Sequence, residues 1–465
     1  MRSLMSRRFL KSVSRLCALI VVMTALTAGP AAAQSAKPTK AGADGQTEKP
    51  RKVKAKDKRG LVWDNRPSLV FGKNIHVDFR AKGQFDWRAF DPDVPKEVLF
   101  AIDAKRAGLK GELTKHFEFE IEREVGQGVP APAPTAVKRP WKDVYLNWRT
   151  FKQAEVIGGR FKIPFGYEQL TGKSSTDFAY RSLISSTIAP ARERGVMVHG
   201  RFFGRGLTYE VGGFKGDGDN GRLKEPQFVQ PGETAPDVGP SVAGRVTATV
   251  LRSLPVADSL KGLRLGVAYT NGELPEGLNS VRGKSEYGTS TFFRPVYVKG
   301  RRQRLGAELS WSPGPVGVRA EWMQAREDRK AQGNRNQDLS AFLSTGWYAS
   351  GTWILTGENK GDDDDINPRK PLFKGGIGSI EIGAKYDELA FGSARHEGTA
   401  FSNPRADNLI GAKDQVWTMG VNWFPNRWVR VIGNAIHEDF ENASSTPVSG
   451  ITAFWSGLCR LQIAF

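Results

Sequence analysis

Between Ala154 and Phe214 the chain gathers groups suited to binding oxyanions. Arg160 and Lys162 lie two residues apart in the segment Val156–Ile163, and Pro164 ends that segment. Thr171, Lys173, Ser174, Ser175, Arg181, Arg192 and Arg194 follow within a few turns of chain. A guanidinium matches two oxygens of a phosphate at once, whereas an ammonium acts as a point charge. Hydroxyls such as those of Ser174 and Ser175 can replace part of an ion's hydration. Arg80, Arg106 and Arg245 extend the basic series to other parts of the chain. Groups strung along a path suit transfer of an anion, provided each contact stays weak enough for release.

Other chemistries have less to stand on. The five histidines, His76, His116, His199, His396 and His437, are scattered, with no H-E-x-x-H and no paired metal spacing. Of the two cysteines, Cys17 lies in the N-terminal leader and Cys459 near the end, so no disulfide framework and no cysteine metal site is encoded. Asp362–Asp365 reads as a solvated acidic loop tip rather than a cation site. No cofactor is implied. A barrel hydrolase using Ser and His remains the alternative from another class, although no motif frames one.

The elements that must position these groups are strands. From Ile75, the residues Ile75, Val77, Phe79, Ala81, Phe85 and Trp87 share one face, while Asp78, Arg80, Lys82, Gln84, Asp86 and Arg88 share the other. Period two over such a length is a strand with one apolar and one charged face. Sixteen segments of this kind can be counted, the last ending at Phe465. They are joined alternately by tight turns, such as Pro313-Gly314 and Pro425-Asn426, and by long polar loops. That asymmetry belongs to outer-membrane barrels, and lipid requires such a sheet to close because open edges find no partner there. The expectation is an all-β, sixteen-stranded antiparallel transmembrane β-barrel over 71–465. The long segment after Ile163 would fold into its mouth as a constriction loop, since a long excursion between strands usually has a task.

The N-terminus reads as a processing signal over 1–33. Arg2, Arg7, Arg8, Lys11 and Arg15 precede an apolar run from Leu16 to Ala28, and Ala31-Ala32-Ala33 gives the cleavage pattern before Gln34. The formal net charge is +19, and loss of those five basic residues leaves +14. Residues 34–70 are expected to be a disordered basic arm, a solvated linker or one touching peptidoglycan or anionic lipid. Nucleic acid is not an expected partner of an exported chain.

If the apolar face meets lipid, the other lines water. Its cations, Arg80, Lys82, Arg88, Arg106, Lys110, Arg160, Lys162, Arg201, Arg245, Arg264, Arg304, Arg319, Lys385, Arg430 and Arg460, suit an anion pore. The same face carries Asp78, Asp86, Glu112, Glu118, Glu120, Glu122, Glu308, Glu321 and Glu381, so a salt-bridged lining in a general porin is the competing reading.

Several segments, in order, resemble the phosphate-selective porin O and P family. They are Leu109-Lys110-Gly111-Glu112-Leu113, Gly159 to Phe165, Asp177 to Ser182, Ala189 to Val196, Leu355-Thr356-Gly357-Glu358 and Gly420-Val421-Asn422-Trp423. The resemblance implies a homotrimer in the outer membrane, set among lipid and lipopolysaccharide, with a third extracellular loop folded inward and a basic ladder guiding phosphate or polyphosphate. Thr171, Ser174 or Ser175, and Arg181 match the loop positions of the family pattern. The chain departs from it at Gln169, where members carry Lys, and at Gly172-Lys173, where a Ser pair is usual.

Overall fold

The structure, a computed structural model, describes residues 60–63, 66–72, 74–91, 99–125, 140–221, 223, 238–252, 254–281, 283–286, 291–361, 366–444, 446–447 and 449–465. The signal expected over 1–33, residues 34–59 of the arm and the Asp362–Asp365 tip lie outside them.

Two short strands come first, β1 (Gly60–Trp63) and β2 (Pro67–Phe71). The barrel strands follow: β3 (Ile75–Asp91), β4 (Phe100–Leu113), β5 (Phe117–Glu124), β6 (Trp141–Phe151), β7 (Ala154–Lys162), β8 (Arg192–Phe202), β9 (Leu207–Phe214) and β10 (Ser241–Thr249). The second half holds β11 (Arg264–Leu278), β12 (Tyr297–Trp311), β13 (Val316–Arg329), β14 (Leu339–Ile354), β15 (Ser379–Ser393), β16 (Ala412–Phe424), β17 (Val429–Glu441) and β18 (Ala453–Ala464). From β3 onward each strand is antiparallel to the next, and β18 pairs with β3 from Trp455↔Asp91 to Ala464↔Lys82. The sixteen strands therefore close. The tight Pro313-Gly314 turn uses Gly314 at φ +67, a backbone state that costs glycine nothing.

The outer wall is apolar, with exposed Val196, Val211, Val242, Val267, Leu305 and Val421. Tyr386, Trp417, His437 and Trp455 stand opposite one another across four strands. Their rings lie 4.8 Å apart for Tyr386–Trp417 and 4.9 Å for His437–Trp455. Such a girdle seats amphipathic rings at the headgroup level.

Three features depart from the sequence expectation. The arm is folded from Gly60 on: β1 pairs with β2, and β2 continues along the start of β3 below the end of β18. An excursion of chain at the short-turn end, between Ile354 and Ser379, breaks the rule of tight turns there. Finally, the inner face is not uniformly polar. Phe342, Leu389, Phe391, Val416, Ile436, Phe440 and Phe454 of β14–β18 are buried against Phe292 and Phe293 from the β11–β12 connection and Leu183, Ile184 and Ile188 from the β7–β8 connection. One half of the interior is thus packed, and water-facing charge concentrates on the other. Arg80, Lys110 and Glu112 keep 39%, 37% and 52% of their side chains exposed, while Arg302, Arg304 and Lys385 of β12 and β15, and Arg460 of β18, are fully buried.

Candidate functional site

The β7–β8 connection crosses the inside of the wall. It holds two single-turn helices, α1 (Tyr167–Leu170) and α2 (Leu183–Thr187), the latter capped by Ser182, whose hydroxyl accepts from the Ser185 N–H. Inward side chains from distant strands bind its backbone. The Glu321 carboxylate on β13 accepts the N–H groups of Tyr167 and Glu168, both at 2.7 Å. Asn434 accepts from Ala179 N–H at 3.0 Å, and Asp387 from Leu183 N–H at 3.0 Å. Arg430 donates to the carbonyls of Thr176 and Asp177, 2.7 Å each, and Gln462 to that of Ser174 at 2.9 Å. A segment without long secondary structure has many orphan backbone groups, and here the barrel supplies their partners.

Beside this segment, toward the short-turn mouth, lies a cavity of about 270 Å³. Arg66, Arg80, Lys82, Arg106, Arg427 and Arg430 line it, with Ser174, Ser175 and Gln462, and Glu122 is the one acidic side chain among its lining residues. Arg66 comes from the β1–β2 turn and Arg427 from the β16–β17 turn. The field of so many cations in a low-dielectric recess favours an anion, and the two serines supply hydroxyls at the same place.

The structure brings together Arg80, Arg106, Ser174 and Ser175 of the residues expected from sequence, and separates the others. Lys162 donates to the carbonyls of Leu170 and Thr171 at 2.9 and 2.8 Å. Arg181 donates to Glu168 at 3.0 Å and to the same Thr171 carbonyl at 2.7 Å. The Thr171 hydroxyl turns back to the Tyr167 carbonyl, 3.0 Å away. These three clamp the segment's own backbone. Lys173 pairs with Asp103 at 2.7 Å, Arg192 with Asp143 through two contacts of 3.0 and 2.5 Å, and Arg160 with Asp219 at 2.5 Å. Arg245 is shared by Glu210 and Glu308 at 2.7 and 2.5 Å. Arg194 is a correction. It is exposed and follows the outward alternation of Val196 and Val198, so it faces away from the lumen. Arg66 and Arg427 gave no signal in the sequence because both sit in turns, outside any alternating run.

Burial lowers the pKa of Lys173, Asp103 opposing the shift, and brings Arg181 down to about 10, with Glu168 opposing. Raising the pH from 7 to 10 therefore strips positive charge from this segment earlier than from free side chains. The expected outcome is a fall in anion preference over that range, checked by zero-current potential in a fixed KCl gradient. A flat profile contradicts a role for these two cations in selectivity.

A closed antiparallel barrel with a lipid-facing apolar wall and a charged, partly filled lumen defines a porin, a channel of the outer membrane. The family model described as phosphate-selective porin O and P matches residues 71–465, and the chain belongs to that family. Among proteins of curated function no sequence matches. The fold is similar to that of OmpT of Vibrio cholerae, an outer membrane protein folded in vitro, in its trimer form, with 12% identity over 84% of this chain and 100% of that one and a TM-score of 0.50. The outer membrane channel DcaP of Acinetobacter baumannii is 10% identical over 84% and 98% of the two chains, with a TM-score of 0.49. Salmonella typhi OmpF, solved with daunomycin, is 10% identical over 87% and 100%, with a TM-score of 0.46.

Proposed function

We propose that this porin passes small anions, inorganic phosphate or polyphosphate among them, by facilitated diffusion past a constriction formed by the inward β7–β8 segment. The observation that carries the reading is the cavity in which six basic side chains meet Ser174 and Ser175 with a single acidic side chain among them. Arg80, Lys82 and Arg106 form the wall of the path and the two serines its turning point. Partial replacement of hydration by guanidinium and hydroxyl groups gives affinity without trapping the ion. The chain is read as exported by a cleaved signal over 1–33 and assembled as a homotrimer among outer-membrane lipid and lipopolysaccharide, its basic arm from Gln34 near the peptidoglycan. The family and the fold are those of a channel, and the barrel-hydrolase alternative gains no support from them.

A general porin is the second reading, and a specific observation favours it. Many lumen cations are held by acids, Lys110 by Glu118 and Glu120 and Arg149 by Glu112 and Glu118, and in the cavity itself Arg80 by Glu120 and Arg106 by Glu122 and Glu124. The deciding experiment is the zero-current potential across a planar bilayer in a KCl gradient, followed by phosphate titration. A chloride-selective potential with phosphate lowering the chloride current supports the anion path. A potential near zero with no phosphate effect leaves the general porin.

Arg181 gives a local test. Its two carbonyl contacts shape the segment, so Arg181→Glu is expected to lower single-channel anion conductance severalfold and Arg181→Lys to fall between. Unchanged conductance and selectivity in Arg181→Glu would falsify its place in the constriction.

A further inference from the structure

We infer that Lys360 is a positioning residue that sets the conduction path by holding the inward segment from the opposite mouth of the barrel. This rests on the reading of that segment as the constriction. The chain leaves β14 at Ile354, rises into the lumen from the short-turn end, and returns at Ser379. It is fixed to the wall there: Lys360 N–H donates to the Gly314 carbonyl at 2.7 Å and Leu372 N–H to that of Pro425 at 2.8 Å. The Trp423 indole donates to Ile377 at 2.7 Å. From this anchored base the Lys360 ammonium reaches Asp177 at 2.5 Å, Thr352 at 2.6 Å and Glu381 at 2.8 Å. Three acceptors take its three donors, and Lys360, Asp177 and Glu381 are all buried.

Asp177 sits at the far reach of the β7–β8 segment, three residues beyond Ser174. Its other carboxylate oxygen takes Arg319, and its carbonyl takes Asn422 and Arg430. Burial pushes its carboxyl up, yet Lys360 and Arg319 outweigh burial and bring it to about 2, so the carboxylate stays charged across the neutral range. The ion pair therefore joins two chain excursions that enter from opposite ends, and one of them carries the hydroxyls of the cavity. Neither acid is stranded when Lys360 is removed, since Asp177 keeps Arg319 and Glu381 keeps Asn422 at 2.8 Å. The barrel survives the change while the tether does not.

Single-channel recording of the full-length protein separates this from a merely structural role. A charge-assisted hydrogen bond is worth enough that its loss shifts a two-state equilibrium by roughly tenfold. Lys360→Met is expected to raise the time spent in higher-conductance states by about that factor, Lys360→Arg to restore wild-type records, and Lys360→Met with Asp177→Asn to match Asp177→Asn alone. Wild-type records from Lys360→Met, or additive effects in the double variant, overturn the inference. If Arg181→Glu alters conduction and Lys360→Met does not, the latch fails while the constriction stands. If neither does, the constriction itself is wrong.

Discussion

Arg106→Gln is expected to abolish anion preference and turn the pore cation-selective. Arg106 lines the cavity and holds Glu122 at 3.0 Å and Glu124 at 2.8 Å. The substitution removes one positive charge from the wall and takes from Glu122 the guanidinium that holds it, while Glu124 keeps Lys142 at 3.7 Å. A unit charge about 7 Å from a permeating ion is worth about 2 kcal/mol at an effective dielectric constant near 20, and every 1.4 kcal/mol is about tenfold in relative permeability. The reversal potential in a KCl gradient around 0.1 M should therefore change sign, whereas at 1 M salt, with a Debye length of about 3 Å, the effect should shrink. The comparison Arg80→Gln should be milder, because Arg80 bonds one acid, Glu120, at 2.9 Å. An Arg106→Gln pore that keeps its chloride preference at low salt would place selectivity elsewhere.

Arg460→Met is expected to produce the largest loss of stability. Its guanidinium is fully buried and donates to Asp86 at 2.6 and 2.8 Å, to Asp103 at 2.7 Å, and to the Ala179 carbonyl of the inward segment. It also lies 5.2 Å over the Tyr180 ring, and the Tyr180 hydroxyl donates to the same Asp86 at 2.9 Å. Removing one partner of a buried pair strands the other, at a cost of about 3–5 kcal/mol. Urea unfolding followed by tryptophan fluorescence should show that loss, and Arg460→Met combined with Asp86→Asn should recover part of it. A loss below about 1 kcal/mol would show that water reaches the site. Because Arg460 ties Ala179 to the β3–β18 seam, the variant should also conduct with more noise than the wild type.

The barrel was legible in the sequence because its cause is local. A strand's two faces alternate with period two, so Ile75 to Arg88 declare their own conformation and their own lipid and lumen sides without reference to any other residue. Counting such runs gave sixteen strands, and lipid's intolerance of open edges supplied closure. Alternation also put Arg80, Lys82 and Arg106 on the water side, and the break at Pro164 marked where the inward segment starts.

What the tertiary structure decided is which cations are left to act. Alternation assigns Arg304, Lys385 and Arg460 to the same class as Arg80, but ion pairing is a matter of what lies opposite after closure. Arg304 meets Asp217 from the β9–β10 connection at 2.6 Å, and Arg460 meets Asp86 from the other end of the chain. No spacing rule connects residues so far apart. The packed half of the lumen has the same origin. Phe342, Phe391 and Phe440 break the polar pattern of the inner face only because Phe292 and Phe293 arrive from a loop to cover them. Position along the barrel, finally, gathered Arg66 and Arg427 from two turns into the cavity. The sequence by itself determined the strands, their number and the charge of their inner face. Only the folded chain decided which of that charge is buried and which still lines a cavity, because both depend on contacts between residues that alternation cannot relate.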